Sequence, residues 1–596
     1  MTLGDTRMDN ENLLQDQLDF LYGNQSEEIS NKIIELIDEF RARNPGTHPG
    51  PFQLSEKDTI LITYGDQFQS PNQGHLRSLA DFLNQYIGDA ITWVHLLPFY
   101  PYSSDDGFSV IDHRQVDPKL GSWADILKLS EKYRLMFDAV INHISKESGW
   151  FKAFQRGEIP YNKYFIEIDP GIDLSSIFRP RTLPLIHPVD TSSGEKYVWT
   201  TFSEDQIDLD FSNPEVLLEI IDLLLFYVEN GASLIRLDAV GYIWKDVSTS
   251  SLNLPQAHSV VKILRAVLNL AAPHAGTITE TNVPHEENIK YFGEPASTQL
   301  IHKKNQSGDE AQMVYQFSLA PLILHTFQTQ DATVLTNWIR TLSTPYLDSA
   351  FFNFIASHDG IGVMPAKGLL TSQQIQILVE KTLAHGGEVS YKTNADGSES
   401  VYELNITLYD ALNDPADNNV EVGIKRFLAS QAIMLSLAGV PGIYVHSLFG
   451  SRNCHAFKEK TGRARSLNRE KYNLDDMQKK MDDPGSVQYR VLNQYRHLLE
   501  IRKKQSAFHP VANQSIVGDN KRVFTLLRTN EEQQSTMLCL VNISEHKQQI
   551  DLDLNPLGID HPGTVHDLVS GEFVTINNGH LQQILDAYQV QWIPLN

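Results

Sequence analysis

The chain has 596 residues and a formal net charge of −25, from 74 acidic and 49 basic side chains. This length exceeds what one hydrophobic core normally fills, so we expect two or more domains. The negative charge would repel nucleic acids and anionic membranes, which favours a small-molecule substrate.

Two cysteines occur, Cys454 and Cys539, which predicts no disulfide framework, although one bridge between them is compatible with the sequence. The first residues lack the basic and apolar regions of a secretory signal. No run approaches the roughly 18 apolar residues that a membrane helix needs. We therefore expect a soluble, cytoplasmic monomer or homodimer with no nucleic-acid or membrane partner.

In chain order, residues 1–57 carry the amphipathic patterns LLQDQLDFLYG and ISNKIIELIDEFRAR, which predict a helical extension. Between residues 58 and 512, short apolar runs alternate with helical segments, as is typical of βα units. Eight runs predict strands at 59–65, 91–99, 135–143, 233–240, 276–282, 313–317, 351–358 and 440–448. The predicted fold class is therefore α/β, a (β/α)8 TIM barrel.

Two intervals are too long for ordinary connections between a strand and a helix. Residues 144–205 follow the third strand and contain FRPRTLPLIHP. Residues 360–425 follow the seventh strand and carry a loop with the segment VYELN. Insertions at this end of a barrel usually shape the pocket. Residues 513–596 alternate as in RVFTLLRT and TMLCLVNI, which predicts a C-terminal antiparallel β domain.

Three apolar runs lead into carboxylates: ASLIRL precedes Asp238, GTIT precedes Glu280 and FFNFIASH precedes Asp359. Because a parallel barrel gathers the C-terminal ends of its strands around one mouth, these acids are expected to converge. A lone carboxylate after a strand is more often a helix cap or a solvated residue. Arg236 lies two residues before Asp238, on the same face of the strand, and would keep that carboxylate ionised.

The segments GFSVIDH, DAVINH, IRLDAVGY, ITETN and ASHDGIGV, in this order, resemble the conserved regions of the α-amylase family. HDGIGV and RLDAVGY are most similar to its sucrose phosphorylase group, and the resemblance covers residues 59–596. It implies a retaining α-glucoside phosphorylase with Asp238 as nucleophile, Glu280 as general acid and base, and Asp359 as the carboxylate that stabilises the transition state. By the same resemblance, the two insertions are a B domain and a B′ region.

The resemblance also implies six glucose-binding residues, each of which has a purely structural role as its alternative. These are His143 and His358 for the sugar hydroxyls, Asp105 and Arg465 for the far edge of the ring, and Phe108 and Tyr242 as an apolar platform.

Phosphorolysis requires phosphate, rather than water, to attack the glucosyl enzyme, and phosphate needs cationic donors. Arg179 and Arg181 of FRPRTLPL match an Arg-Pro-Arg segment of the sucrose phosphorylases, although a surface arginine pair is the alternative. We expect an anion role for Arg181 in particular. His285 and Lys392 are weaker candidates.

The segment RPRTLPL is similar to relatives that cleave glucosylglycerate, so 2-O-α-glucosylglycerate is the first expectation for the donor. Glu403 stands where sucrose phosphorylases carry glutamine. An acid would repel either anionic acceptor, glycerate or fructose 6-phosphate, and suits neutral glycerol or fructose better. Glucosylglycerol and sucrose therefore stay open as donors, beside sucrose 6′-phosphate. We expect no organic cofactor or metal, with inorganic phosphate as co-substrate. A hydrolase or transglucosidase is the alternative reaction. A non-catalytic carbohydrate-binding relative is disfavoured by the three retained acids.

Overall fold

The computed structural model describes residues 3–45, 50–181, 183–295, 307–344, 346, 348–394, 398–558 and 563–595. The α-helices of these residues are α1 (Leu3–Tyr22), α2 (Ser26–Arg43), α3 (His75–Phe82), α4 (Trp123–Ser130), α5 (Gly149–Arg156), α6 (Pro214–Glu229), α7 (Pro255–Ala271), α8 (His285–Asn288), α9 (Leu319–Thr329), α10 (Thr333–Ile339), α11 (Ser372–Ala384), α12 (Leu408–Leu412), α13 (Val420–Ser436), α14 (His455–Thr461), α15 (Leu474–Asp482) and α16 (Val487–Arg502).

The strands of the same residues are β1 (Ile60–Thr63), β2 (Phe68–Gln69), β3 (Trp93–Leu96), β4 (Arg134–Ala139), β5 (His143–Ser145), β6 (Ile186–Thr191), β7 (Gly194–Trp199), β8 (Gln206–Asp208), β9 (Ala232–Leu237), β10 (Gly276–Thr279), β11 (Met313–Tyr315), β12 (Ala350–Phe354), β13 (Ile361–Gly362), β14 (Glu388–Thr393), β15 (Glu399–Asn405), β16 (Val440–Tyr444), β17 (Tyr472–Asn473), β18 (Asn513–Ile516), β19 (Val523–Asn530), β20 (Ser535–Asn542), β21 (Gln548–Asp553), β22 (Gly563–His566), β23 (Phe573–Asn577), β24 (His580–Leu585) and β25 (Val590–Pro594).

Eight parallel strands close into a barrel in the order β1-β16-β12-β11-β10-β9-β4-β3. Each of them coincides with one of the eight predicted runs, so the predicted fold class is confirmed. Strands β1, β10 and β12 are buried along their whole length, because helices cover the outside and side chains fill the inside. This is why the strands appear in the sequence as continuous apolar runs. Several predicted runs are longer than the strands, because the last residues of these runs belong to the loops at the barrel mouth.

The helices begin where the sequence supplies caps. The helix α6 has Pro214 in its first turn, and the side chain of Asn213 accepts from the backbone N–H of Glu215. Ser122 and Asp125 form a reciprocal capping box at the start of α4. These local signals fix where each helix begins and hence how long the loops at the barrel mouth are.

The two N-terminal helices pack on the outside of the barrel against α6 and α7. Their apolar faces are buried, with Leu18, Ile33 and Phe40 at most 2% exposed. Arg41 donates to the carbonyl of Leu270 at 2.6 Å, which also ties α2 to α7. The extension therefore forms part of the outer helical layer, remote from the barrel mouth.

The insertions and the C-terminal region add small antiparallel sheets. After β4 the chain forms the pairs β5-β8 and β6-β7, and after β12 it forms the sheet β13-β15-β14. The segment VYELN, predicted as loop, lies in strand β15. The C-terminal region contains two four-stranded sheets, β18-β19-β20-β25 and β21-β24-β23-β22. Cys454 and Cys539 are both free thiols.

Candidate active site

A buried arginine on β9 connects carboxylates at the barrel mouth. Arg236 donates to Asp238 at 2.6 Å and to Asp138 of β4 at 2.5 Å. The same guanidinium group lies 3.8 Å from a carboxylate oxygen of Glu280. Because only 2% of the Arg236 side chain is exposed, water screens these interactions weakly. One fixed cation therefore holds the predicted nucleophile and faces the predicted general acid.

The turn after Asp238 aims a backbone donor at the second acid. Ala239 adopts a left-handed conformation with φ of 49°, which is strained for a residue with a side chain. In this conformation its N–H donates to Oε2 of Glu280 at 3.0 Å. The strained backbone therefore fixes Glu280 relative to the nucleophile strand.

Arg236 acts more strongly on Asp238 than on Glu280. Burial raises the pKa of Glu280 to about 7; Arg236 opposes this rise, and the charges of Asp238 and Asp359 reinforce it. Burial also raises the pKa of Asp238, but the directly bonded Arg236 limits the increase. Arg236 bonds Asp238 at 2.6 Å but lies 3.8 Å from Glu280, so it stabilises the ionised form of Asp238 more strongly and favours the proton on Glu280. This is the division that a general acid and a nucleophile require.

The third acid follows β12 and contacts two further arginines. Asp359 accepts from Arg465 at 2.6 Å and lies 3.6 Å from Arg469. Burial alone would raise the pKa of Asp359, but Arg465, His358 and Arg469 outweigh it and hold this pKa below its ordinary value. Asp359 thus remains charged in a site where Glu280 accepts a proton.

The acids lie in one cavity with about 1100 Å³ of free space, including the part that opens to solvent. Phe108 and His358 stack face to face inside it, with ring centroids 5.0 Å apart. The ring of Tyr242 meets Phe202 edge-on at 5.4 Å. Sugar rings have apolar faces and polar edges, so flat side chains among hydroxyl-binding groups suit one. Twelve of the fourteen predicted site residues line this cavity: Asp105, Phe108, His143, Arg181, Arg236, Asp238, Tyr242, Glu280, His358, Asp359, Glu403 and Arg465.

Two consecutive left-handed residues, of which Asp105 lines the cavity, present their carboxylates to different arginines. Asp105 has φ of 54° and Asp106 has φ of 51°. Asp105 accepts from Arg181 at 3.1 Å, whereas Asp106 pairs with Arg469. A Cβ at Gly107, where φ is 111°, would lie 2.8 Å from the carbonyl oxygen of Pro98. Only glycine fits there. Gly107 therefore permits the tight turn in which Asp105 and Asp106 pair with different arginines.

The ring of His143 is held by a buried network. Its Nε2 lies 2.9 Å from the carbonyl of Phe108, and its Nδ1 lies 3.2 Å from the amide of Asn142. Lys245 donates to Asn142 at 2.7 Å and pairs with Asp208 at 2.6 Å. Lys245, which follows Asp238 by seven residues, thereby helps to hold the ring of His143 in place through Asn142.

Arg465, predicted with Asp105 to hold the far edge of the sugar ring, lines the cavity as Asp105 does. It binds Glu403 through two hydrogen bonds of 2.6 and 3.1 Å, and it also binds Asp359. Burial raises the pKa of Glu403, and Arg465 opposes this rise. The predicted repulsion between Glu403 and an anionic acceptor is therefore offset by a bonded cation.

Arg179 and His285 are not brought to the cavity. Arg179 turns back and donates to the carbonyl of Leu174 at 3.5 Å. His285 starts α8, and its ring packs 5.7 Å from that of Phe351 on the barrel wall. Lys392 lies on β14, with its ammonium 4.7 Å above the ring of Phe178 and outside the cavity lining.

Sequence reasoning missed Asp138 and Arg469. Asp138 lies within the predicted strand LMFDAVINH and bonds both Arg236 and His95. An acid inside an otherwise apolar strand was an available signal, since a buried charge needs a partner. Arg469 ends the segment GRARSLNR, four residues after Arg465, and donates to the carbonyl of His358 at 2.6 Å. Nothing in the sequence alone distinguishes the positions of these two arginines.

Neither a metal site nor a membrane span is found in the part of the chain that the structure describes. No group of three or more His, Cys, Asp or Glu side chains there could hold a metal ion. Each helix in the described ranges is too short or too polar to cross a membrane.

Residues 47–368 match the catalytic domain of α-amylase. The chain belongs to the α-amylase family, and it is an enzyme. Within this family it is 45% identical over 579 residues to the glucosylglycerate phosphorylase of Allomeiothermus silvanus, with 97% of both chains covered. It is also 41% identical over 539 residues to the glucosylglycerate phosphorylase of Escherichia coli, with 90% of this chain and 92% of the relative covered.

A crystal structure of sucrose 6F-phosphate phosphorylase from Thermoanaerobacter thermosaccharolyticum has the same fold. It superimposes with a TM-score of 0.71 over 89% of this chain and 98% of its own, at 24% sequence identity. This likeness supports the α-amylase family barrel and its appended sheets.

Proposed function

We propose that this α-amylase family enzyme is a retaining phosphorylase that converts 2-O-α-glucosylglycerate and inorganic phosphate into α-glucose 1-phosphate and glycerate. The observation that supports the reaction class is that one buried arginine, Arg236, bonds Asp238 directly and faces Glu280 at 3.8 Å in the same cavity. The donor is supported by the similarity, over nearly the whole chain, to two enzymes named glucosylglycerate phosphorylase.

In the first half-reaction, the Asp238 carboxylate attacks the anomeric carbon and Glu280 gives its proton to the glycosidic oxygen. The bond to glycerate breaks, and glucose is attached to Asp238 as a glucosyl ester. Retaining enzymes hold these two carboxyl groups about 5 Å apart, and contact with a single guanidinium group suits that spacing. Asp359, kept ionised by Arg465, stabilises the positive charge that develops on the sugar ring.

In the second half-reaction, a phosphate oxygen attacks the anomeric carbon of the glucosyl ester. Glu280, now ionised, takes the proton from phosphate, and Asp238 leaves as a carboxylate. Two inversions at the same carbon leave the product in the α configuration. Arg181 lines the cavity and is paired with Asp105, so we assign it to the phosphate. The reaction needs no organic cofactor, and its use of phosphate fits the cytoplasmic location expected from the sequence.

A comparison of four donors tests the proposed substrate. With phosphate present, kcat/KM for glucosylglycerate should exceed that for sucrose, sucrose 6′-phosphate and glucosylglycerol by at least about tenfold, the equivalent of roughly 1.4 kcal/mol in transition-state binding. Release of α-glucose 1-phosphate is measured for each donor, with the Asp238→Asn variant as background. A higher kcat/KM for any of the other three would show that the donor is assigned wrongly while the reaction class stands.

A further inference from the structure

The two insertions meet near the cavity. Lys392 of β14 places its ammonium 4.7 Å above the ring of Phe178, which belongs to the first insertion. The ring of Phe178 lies 6.3 Å from that of Tyr242, a cavity residue. Lys392 pairs with Ser400 across the hairpin, and Ser400 lies two residues before Tyr402, which also lines the cavity. Lys392 is thus connected to the cavity wall through the ring of Phe178.

Lys392 is a buried cation that no described carboxylate balances. The residue is 7% exposed, yet no carboxylate among the described residues lies within ion-pair distance of its ammonium group. By contrast, Lys245, with a side chain 4% exposed, pairs with Asp208 at 2.6 Å. A buried ammonium without an opposite charge is costly. Burial, and then repulsion from Lys367, lowers the pKa of Lys392, and a bound anion would reverse this shift.

We infer that Lys392 binds the carboxylate of the acceptor and so selects an anionic acceptor over a neutral one. This assignment rests on the proposed function, in which that acceptor is glycerate. Of the cations that line the cavity, Arg181 is assigned to the phosphate, and Arg465 binds both Asp359 and Glu403. Lys392 is the buried cation of this region whose charge no described carboxylate balances. Phosphate is the other anion in the reaction, so the test must separate the two.

The reverse reaction isolates the acceptor charge, because glycerol and glycerate differ in the carboxylate. With α-glucose 1-phosphate as donor, the ratio of kcat/KM for glycerate to kcat/KM for glycerol is measured in the wild type, Lys392→Met and Lys392→Arg. The methionine variant should lower this ratio about 10- to 100-fold, as expected for loss of a charged hydrogen bond. The arginine variant should retain more of the ratio. The matched control is Lys381→Met, at an exposed lysine of the same insertion. It should leave the glycerate-to-glycerol ratio within about threefold of the wild-type value.

An unchanged ratio in folded Lys392→Met would overturn the inference. The inference would also be overturned if Lys392→Met raised the KM for phosphate in the forward reaction and left the glycerate-to-glycerol ratio of kcat/KM unchanged. Lys392 would then bind phosphate and not the acceptor. Folding is checked by circular dichroism and the thermal midpoint, and Lys392→Gln provides the same comparison if the methionine variant does not fold. A wild type that does not glucosylate glycerate would instead contradict the proposed function, independently of Lys392.

Discussion

Asp238→Asn should lower the rate of phosphorolysis by on the order of 10³-fold or more, because an amide cannot form the glucosyl ester through which the reaction passes. The substitution preserves the shape of the side chain, and Arg236 keeps its second partner, Asp138. We therefore expect the barrel to remain folded. The rate of α-glucose 1-phosphate release and the thermal unfolding midpoint are measured on the same preparation.

Asp551→Asn, at an exposed position on β21 of the C-terminal region, is the matched control for this change of charge and should retain the full rate. If the folded Asp238→Asn protein kept more than about a tenth of the wild-type rate, a loss of under about 1.4 kcal/mol in transition-state stabilisation, Asp238 would not be the nucleophile.

Glu280→Gln should lower the rate with glucosylglycerate by about 10²- to 10⁴-fold, because the glycosidic oxygen then leaves without a proton. The loss in the first half-reaction should be much smaller with α-glucosyl fluoride as donor, since fluoride leaves without protonation. Release of fluoride and of glycerate is measured for both proteins. Glu286→Gln, an exposed neighbour, is the control. An equal loss with both donors would contradict the acid role and indicate a defect in binding or in the nucleophile.

The pH dependence of the wild type should reveal the same group. Because burial raises the pKa of Glu280 to about 7, the free enzyme loses its acid form above that pH, and kcat/KM for glucosylglycerate should fall on the alkaline side. For Glu280→Gln with α-glucosyl fluoride, fluoride release should show no fall in this range. An identical alkaline decline in both proteins would assign it to a different group.

The barrel and its three acids were predictable because each depends on local patterns. The barrel strands are short and buried on both sides, so apolar runs marked all eight. Asp238, Glu280 and Asp359 follow three of these strands, and the geometry of a parallel barrel brings such positions together. Arg236 was predictable for the same reason, since it precedes Asp238 by two residues on a strand.

The pairing of charges was less predictable because it depends on backbone outside the barrel. Arg465 and Arg469 lie in and after a short irregular helix, where sequence spacing does not define a face. Their partners are set by the left-handed turn at Asp105 and Asp106 and by the hairpin that carries Glu403. Both features arise from long-range packing, which is why the sequence did not predict the carboxylate partners of Arg465 and Arg469.

The residues assigned to anions depended on the same long-range packing. Arg179 and Arg181 are two positions apart in an irregular segment, and only Arg181 lines the cavity. Lys392 was one of several weak candidates in the sequence. Its significance comes from its burial without a described carboxylate partner, which is a property of the folded chain.

Phosphate dependence of product formation from glucosylglycerate tests the central claim most directly. The products are followed by ³¹P NMR and by a glucose assay at increasing phosphate concentrations. We expect α-glucose 1-phosphate to form with retention of the α configuration, at a rate that rises with phosphate and saturates, with little free glucose. Release of free glucose at a rate that does not depend on phosphate would show that the enzyme is a hydrolase and not a phosphorylase.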